Sequence, residues 1–274
     1  MSDSGTITKC VILARGLGTR MRESDATACL DEAQSASADG GVKAMVHVGR
    51  PFLDYILSAL ADAGFKQACL VIGPEHGVIL EHYAGTNRPS RIGVSFAEQL
   101  TPRGTADAVL AAEEFTGPDE FAVINSDNYY PTIVLQVLRE LGQPGAVLFD
   151  AAALVSHSNI PPDRIQAFAY CIVDDDGFLT DIVEKPPDTS AFNVDGEKLV
   201  SMNCWRFNPA IFQMCRDVPL SPRGEFELPL AVKLAIAQGL KFKVTVNRAG
   251  VLDLSRRSDI AAVTERLKGV QAVL

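Results

Sequence analysis

The amino-acid sequence predicts an α/β protein whose mixed, mostly parallel sheet is flanked by helices. Short apolar runs typical of buried strands alternate with helix-like periodic segments through the first half of the chain. A glycine-containing loop follows the first apolar run, at a position where such sheets bind ligands. The second half continues with strand-like segments joined by turns, so we expect it to extend the same sheet.

In the first half, predicted strands and helices alternate. The predicted strands cover residues 10–14, 68–72, 92–96, 121–125 and 146–149. The predicted helices cover residues 52–63, 75–83, 105–115 and 133–141. Helical connections of this kind make right-handed crossovers between parallel strands, and ligands bind beyond the carboxyl ends of those strands. The glycine loop and the segment 126–128 follow such ends.

In the second half, predicted strands are joined by turns rather than by helices. The predicted strands cover residues 167–173, 180–183, 199–207, 242–246 and 251–254. The predicted helices cover residues 228–237 and 258–267. The segment 22–42 has few large apolar residues, and either a mobile flap over the site or a disordered insertion is consistent with it.

The composition is that of an ordinary globular protein, with 47% hydrophobic and 22% charged residues. A formal net charge of −9 argues against a nucleic-acid-binding surface, which needs an excess of Lys and Arg. No apolar run approaches the roughly 20 residues of a membrane span, and residues 1–9 lack the apolar region of a secretion signal. Six cysteines without a C-x-x-C pair indicate reduced thiols, so we expect a cytoplasmic protein.

The glycine loop has the chemistry of a phosphate cradle. Gly16 and Gly18 let the backbone turn sharply and approach a ligand, and Arg20 can grip a phosphate with two hydrogen bonds. No lysine follows the second glycine, and the spacing is not G-x-G-x-x-G, which argues against a P-loop and against a dinucleotide site. Taken alone, the loop could also be a structural turn between a strand and a helix.

Several further segments acquire meaning together with this loop. The loop 16–21, Lys43, the segment 99–106, Asp127, the segment 184–186 and Asp253 occur in this order along the chain. In residue type and order they resemble the nucleotide-sugar pyrophosphorylases, also called sugar-1-phosphate nucleotidylyltransferases. The resemblance spans nearly the whole chain. It implies a Rossmann-like fold of the nucleotide-diphospho-sugar transferase type, as one domain over residues 1–274 with a nucleotide-binding half (1–150) and a sugar-phosphate-binding half (151–274).

The resemblance also implies a reaction and a set of site residues. The enzyme would transfer a nucleoside monophosphate from a nucleoside triphosphate to a sugar 1-phosphate and release pyrophosphate. The implied catalytic residues are Arg20, Lys43, Asp127 and Lys185. The implied nucleotide-binding residues are Leu13, Ala14, Gly16, Gly18, Thr19, Gln99, Gly104 and Thr105. Glu184, Asn203 and Glu225 would bind the sugar, and Asp127 and Asp253 would hold Mg²⁺.

Each of these assignments has a structural alternative. Asp127 could cap a turn, and Asp253 could form one. Glu184 could pair only with Lys185, Asn203 could be satisfied by backbone groups, and Glu225 could complement a helix dipole. Two positions depart from the family. Arg15 replaces a small residue and would either contact phosphate or point to solvent, and Ala44 replaces a proline.

The resemblance implies a nucleoside triphosphate and a sugar 1-phosphate as substrates, with UTP or dTTP and glucose 1-phosphate favoured. The nucleobase preference depends on Gln99, because a side-chain amide can donate to and accept from a uracil or thymine edge. A mannose-1-phosphate guanylyltransferase, a cytidylyltransferase relative and a non-catalytic regulatory protein that binds nucleotide sugars are the alternatives. No partner nucleic acid or membrane is expected. Relatives often form dimers or tetramers, and homo-oligomer formation stays open.

Overall fold

A mixed sheet of eleven strands forms the centre of the protein. The computed structural model describes residues 5–25, 28–85, 87–194 and 196–274. Residues 1–4 of the predicted polar N-terminus and residues 26–27 of the segment 22–42 lie outside the described residues.

The strands are β1 Lys9–Leu13, β2 Gln67–Ile72, β3 Gly93–Glu98, β4 Phe121–Asn125, β5 Asn128–Tyr129, β6 Gly145–Asp150, β7 Ala169–Val173, β8 Leu179–Glu184, β9 Asn193–Val194, β10 Glu197–Ser201, β11 Trp205–Phe207, β12 Lys243–Asn247 and β13 Leu252–Asp253. The helices are α1 Thr19–Arg22, α2 Glu32–Gly40, α3 Phe52–Asp62, α4 Gly77–Ala84, α5 Thr105–Ala111, α6 Glu113–Thr116, α7 Thr132–Arg139, α8 Ala151–His157, α9 Pro162–Ile165, α10 Ala210–Asp217, α11 Leu228–Ala237 and α12 Asp259–Leu267. Lys43–Met45 and Ser190–Phe192 form 3₁₀ turns.

The sheet combines a parallel half with an antiparallel half. Its strand order is β3-β2-β1-β4-β11-β6-β10-β7-β8, with β12 paired to β6 and β9 to β10. The pairs within β3-β2-β1-β4 are parallel, and β11, β10, β7 and β8 join in antiparallel pairs. A separate two-stranded ribbon pairs β13 with β5. The prediction of a mixed α/β sheet flanked by helices is therefore confirmed.

Every residue of β1 after Lys9 is buried, because helices cover both faces of the sheet. Cys10 and Ile12 pack into one hydrophobic cluster, to which α3 contributes. Val11 and Leu13 alternate to the opposite face and pack into a second cluster with α5, α10 and α11. Strands buried on both faces lack polar alternation, which explains why the continuous apolar runs in the sequence predicted them well. No helix in the described ranges is long and apolar enough to cross a membrane.

The structure differs from the predicted elements at several points. The predicted strand 199–207 is two strands, β10 and β11, separated by a kink in which Asn203 adopts a positive φ of 56°. The predicted helix 105–115 is interrupted at Ala112 and becomes α5 and α6. Helices α8 and α10 were not predicted, because each helix is short and lies between strand-like segments.

Candidate active site

The candidate site is a cavity of about 410 Å³ beyond the carboxyl ends of β1 and β4. Most of the residues predicted for the site line it: Leu13, Ala14, Gly16, Gly18, Thr19, Arg20, Lys43, Gln99, Gly104, Thr105, Asp127, Asn203 and Glu225. Glu184, Lys185 and Asp253 do not line this cavity. Residues up to 212 positions apart in the sequence therefore meet at the predicted edge of the sheet, as Leu13 and Glu225 do.

The glycine loop is shaped by close packing behind it. Gly18 has a φ of 65°, and a Cβ there would lie 1.8 Å from the carbonyl oxygen of Gly41. Only glycine fits at this position. A Cβ on Gly16 would have no atom within 4 Å, so Gly16 faces open space. The backbone of the loop is thus held from behind and open toward the cavity.

In the described part of the segment 22–42, Arg22 and a helix support this loop. Residues 32–40 form α2, which begins with a capping box between Asp31 and Gln34. Arg22 donates to the carbonyl oxygens of Leu17 (2.7 Å) and Gly40 (3.2 Å), so it ties the glycine loop to the end of α2. Residues 32–40 are therefore helical rather than a disordered insertion, and the hypothesis of a flap stays a prediction.

Two predicted cationic side chains line the cavity, and they differ in exposure and in ion pairing. Arg20 is exposed at the start of α1, and its side chain has no ion-pair partner among the residues the structure describes. Lys43 is largely buried, and its Nζ donates to Asp127 Oδ2 at 2.8 Å. One cation is therefore unengaged, whereas the other neutralises a predicted metal ligand.

Asp127 and Asp253 are neighbours, although 126 positions separate them in the sequence. In the β5–β13 ribbon Asp253 lies opposite Asn128, and Leu254 N donates to the carbonyl oxygen of Asp127 at 2.8 Å. The Asp253 side chain is almost fully buried. Burial raises the pKa of the Asp253 carboxyl to about 6, and the negative charge of Asp127 acts in the same direction. The two carboxylates are thus close enough for their charges to interact, with Asp253 buried and Asp127 partly exposed.

A buried network that the sequence did not predict holds Asp253 in place. Arg164 NH1 lies 3.3 Å from Asp253 Oδ2, and the same guanidinium binds Asp259 at 2.8 and 3.0 Å. Ser255 Oγ donates to Asp253 Oδ1 at 2.6 Å. The Asn159 side chain accepts from the backbone N of Asp253 and donates to its carbonyl oxygen. Asp253 is therefore fixed in orientation by both its backbone and its carboxylate.

Arg15 does not point to solvent, because its guanidinium is bonded to protein groups. Its side chain is 6% exposed and forms a two-pronged ion pair with Glu75. Its Nε donates to the carbonyl oxygen of Gln99 at 2.9 Å. Three of its five N–H donors are engaged, and Arg15 also lines the cavity, so the first of the two sequence-based alternatives, a contact to phosphate, stays a prediction. Through the bond to Gln99, Arg15 joins the glycine loop to the end of β3.

Arg223, which the sequence analysis missed, links residues that were predicted to bind the sugar. Arg223 NH2 lies 2.8 Å from Glu225 Oε2, and its NH1 lies 3.9 Å from Glu184 Oε1. Lys185 Nζ is 3.5 Å from the same Glu184 oxygen. Burial raises the pKa of the Glu184 carboxyl, with the two cations opposing that effect. The motif R-G-E at 223–225 is the signal that could have pointed to Arg223.

Thr105 and Asn203, two residues predicted to contact ligands, form hydrogen bonds with other protein groups. Thr105 Oγ1 accepts a hydrogen bond from Leu228 N at 2.8 Å and so caps the first turn of α11. The Asn203 amide donates to Asn125 Oδ1 and accepts from Trp205 Nε1, both at 3.3 Å. Asn203 lies at the kink between β10 and β11, not inside a strand as predicted. Each side chain still lines the cavity.

A comparison with protein-family models matches residues 36–264 to the family described as nucleotidyl transferase. A UTP–glucose-1-phosphate uridylyltransferase from Haloferax volcanii is 29% identical over 261 residues, which is 95% of this chain and 96% of the relative. A glucose-1-phosphate thymidylyltransferase from Streptomyces antibioticus is 28% identical over 90% of this chain and 65% of the relative.

Among solved structures, the fold is similar to a UDP-glucose pyrophosphorylase in complex with UDP-glucose. The TM-score is 0.74 at 17% identity, over 97% of this chain and 100% of that one. A UDP-glucose pyrophosphorylase from Acinetobacter baumannii superposes with a TM-score of 0.73 at 17% identity, over 97% of this chain and 95% of the other. At these identities the similarity shows the fold alone, which is the predicted nucleotide-diphospho-sugar transferase type.

Proposed function

Because the chain belongs to the nucleotidyl transferase family, we propose that it couples a nucleoside triphosphate to a sugar 1-phosphate and releases pyrophosphate. We propose UTP or dTTP as the nucleotide and glucose 1-phosphate as the acceptor, as the names of the uridylyl- and thymidylyltransferase relatives suggest. The observation that carries the proposal is the meeting of the glycine loop, Arg20, Lys43 and Asp127 in one cavity, with Asp253 on the strand paired to the residue after Asp127.

The reaction asks the protein mainly to position two polyanions and to offset their charge. The sugar phosphate oxygen attacks the α-phosphorus in line, and pyrophosphate leaves on the opposite side. The open amides of the glycine loop and the unengaged guanidinium of Arg20 would hold the triphosphate. Lys43, already at the cavity wall, would offset charge near the α-phosphate.

The carboxylates of Asp127 and Asp253 have the donor chemistry for Mg²⁺. Mg²⁺ prefers one or two carboxylates together with substrate phosphates, and it would neutralise negative charge on the phosphate oxygens. Burial, and then the charge of Asp127, raise the pKa of the Asp253 carboxyl, and Ser255 and Arg164 oppose that effect. A cation between these carboxylates would oppose it further. Asp253 would be the fixed ligand, since its backbone and side chain are both anchored.

The cations near Glu184 would receive the sugar 1-phosphate. Lys185 and Arg223 are both about half exposed and converge on one Glu184 oxygen, so they form a positive rim beside an acceptor carboxylate. The phosphate would bind the cations, and Glu184 with Glu225 would accept hydrogen bonds from sugar hydroxyls. The sugar site would then lie between the cavity and the end of β8.

A matrix of nucleoside triphosphates and sugar 1-phosphates, with pyrophosphate release as the readout, tests the proposal. UTP or dTTP with glucose 1-phosphate should give the highest rate, and removal of divalent cations with EDTA should abolish it. GTP with mannose 1-phosphate tests the guanylyltransferase alternative in the same assay. Absence of release with every pair, in the presence of Mg²⁺, would overturn the proposed function.

A further inference from the structure

We propose that Asp107 is a positioning residue that determines nucleobase specificity by fixing the orientation of the Gln99 amide. The inference rests on the proposed function, because it assumes that the cavity binds a nucleotide. It concerns a residue that lies behind the cavity wall and does not itself line the cavity.

Four hydrogen-bonding groups of Gln99 already bond to other protein groups: its backbone N–H, its carbonyl oxygen and both hydrogens of its side-chain amide. Its backbone N donates to the carbonyl oxygen of Ile72 at 2.8 Å, and its carbonyl oxygen accepts from Arg15 Nε at 2.9 Å. Its side-chain Nε2 donates to the carbonyl oxygen of Gly104 at 3.0 Å and to Asp107 Oδ2 at 2.7 Å. Both amide hydrogens are thereby used.

The chemistry of the two partners fixes which way the amide faces. A backbone carbonyl and a carboxylate can only accept hydrogen bonds, so the nitrogen of Gln99 must point toward Gly104 and Asp107. Rotation by 180° would place Oε1 against two acceptors. The charged partner contributes the stronger of the two bonds. The remaining polar atom, Oε1, has no donor among the described residues and is not sealed from solvent.

The cavity therefore presents an acceptor, and not a donor, at the position of Gln99. Beside it lie small or apolar groups, including Leu13, Pro102 and Ala108, which leave room for a planar ring. Uracil and thymine carry a ring N–H at N3, and guanine carries one at N1. Cytosine and adenine have an unprotonated ring nitrogen at the corresponding edge, which would face Oε1 as acceptor against acceptor. We expect UTP and dTTP to bind and CTP and ATP to be rejected.

Equilibrium binding of UTP and CTP by calorimetry, on the full chain with Mg²⁺ and without sugar phosphate, tests this inference. For the unmodified protein we expect CTP to bind about 10²-fold more weakly than UTP. Asp107→Leu should lower that ratio by about tenfold, because a hydrogen bond to a charged group is lost while Gly104 still holds the other amide hydrogen. Asp107→Asn should restore most of the discrimination, because its Oδ1 still accepts from Gln99.

The chain offers a matched control in a second Gln–Asp pair outside the cavity. On the exposed side of α10, Gln213 Nε2 donates to both carboxylate oxygens of Asp217 at 3.0 and 2.9 Å. Asp217→Leu removes the same type of bond and should leave the UTP/CTP ratio unchanged. Asp107→Ala, which is smaller, provides a second test should Asp107→Leu fail to fold, with circular dichroism as the check.

Three results would overturn the inference: no discrimination by the unmodified protein, an unchanged ratio in Asp107→Leu or Asp107→Ala, or equal loss in Asp107→Asn and Asp107→Leu. Because binding is measured without turnover, the outcome is separate from that of the proposed function. A protein that discriminates UTP from CTP through Asp107, yet releases no pyrophosphate with any sugar 1-phosphate, would support this inference and overturn the reaction.

Discussion

At the scale of single residues, the site depends on how buried charges are paired. Asp127 is paired with Lys43 at the cavity, and Asp253 with Arg164, which is buried and shared with Asp259. The position of Asp127 after a predicted strand, and the family resemblance for Lys43, predicted these two residues. Arg164 could not be predicted, because its partners are 89 and 95 positions away and nothing in the local sequence distinguishes it from a surface arginine.

Asp127→Asn should reduce turnover by at least about 10²-fold, because a neutral amide neither neutralises a cation nor holds one. Its side chain is 24% exposed, so we expect little change in the thermal midpoint. Steady-state pyrophosphate release and thermal unfolding check the two statements. Asp175→Asn, in the exposed turn between β7 and β8, is the control and should retain full activity. Near-normal turnover of Asp127→Asn would contradict its proposed metal role.

Arg164→Met should destabilise the protein by about 3–5 kcal/mol, because it leaves the buried carboxylates of Asp253 and Asp259 without their counter-charge. The free energy of unfolding from urea titration measures this. Arg256→Met, three residues before Asp259 on the exposed surface, should change stability by no more than about 0.5 kcal/mol. Equal effects of the two substitutions would show that Arg164 does not carry the network.

At the scale of elements, the sequence predicted regular structure well and its interruptions poorly. Strand β4 has the predicted bounds, 121–125, because it is a continuous apolar run buried on its sheet faces. The kink at Asn203 was hidden within a similar run, since a positive φ depends on the hydrogen bonds of Asn203 to Ser201, Asn125 and Trp205 and not on apolar pattern. Helix α2 was missed because it has few large apolar residues, and its capping box and contacts with other segments stabilise it.

The glycine loop provides a prediction at this scale. Gly18→Ala should destabilise the protein by about 1–3 kcal/mol and lower activity, because its Cβ would collide with the backbone of Gly41 and its φ is unfavourable for alanine. Gly16→Ala, two residues away in the same loop, meets no atom within 4 Å and should leave stability within about 0.5 kcal/mol. Chemical unfolding of both variants is the measurement. Equal free energies of unfolding for the two variants would contradict the close packing of Gly18 against the backbone of Gly41.

At the scale of the whole molecule, two hydrophobic clusters on opposite faces of one sheet carry the site at its edge. The first half of the chain supplies the parallel strands and the glycine loop, and the second half supplies Arg223, Asn203 and Asp253. The sequence indicated the order of these segments. It could not show that Arg223 joins Glu184 and Glu225 or that β5 pairs with β13, because both contacts exist only after the two halves assemble.

The distribution of thiols tests this burial across the molecule. Cys29 is exposed, whereas Cys10, Cys69, Cys171, Cys204 and Cys215 are buried. Burial raises the pKa of Cys69 and of Cys215 to about 12, so these thiols carry little reactive thiolate at neutral pH. Ellman's reagent should modify one thiol per native chain and all six after denaturation. Cys29→Ser should give none in the native state, and rapid reaction of a second thiol would contradict the described core.

The central claim is that Asp127 and Asp253 meet at the triphosphate site and bind one divalent cation. The most direct measurement is anomalous diffraction from crystals grown with UTP and Mn²⁺, which scatters anomalously and prefers the same oxygen ligands as Mg²⁺. We expect a single strong peak within bonding distance of both carboxylates and of phosphate oxygens lying along the glycine loop. A nucleotide bound there with the cation peak away from both aspartates would contradict the account.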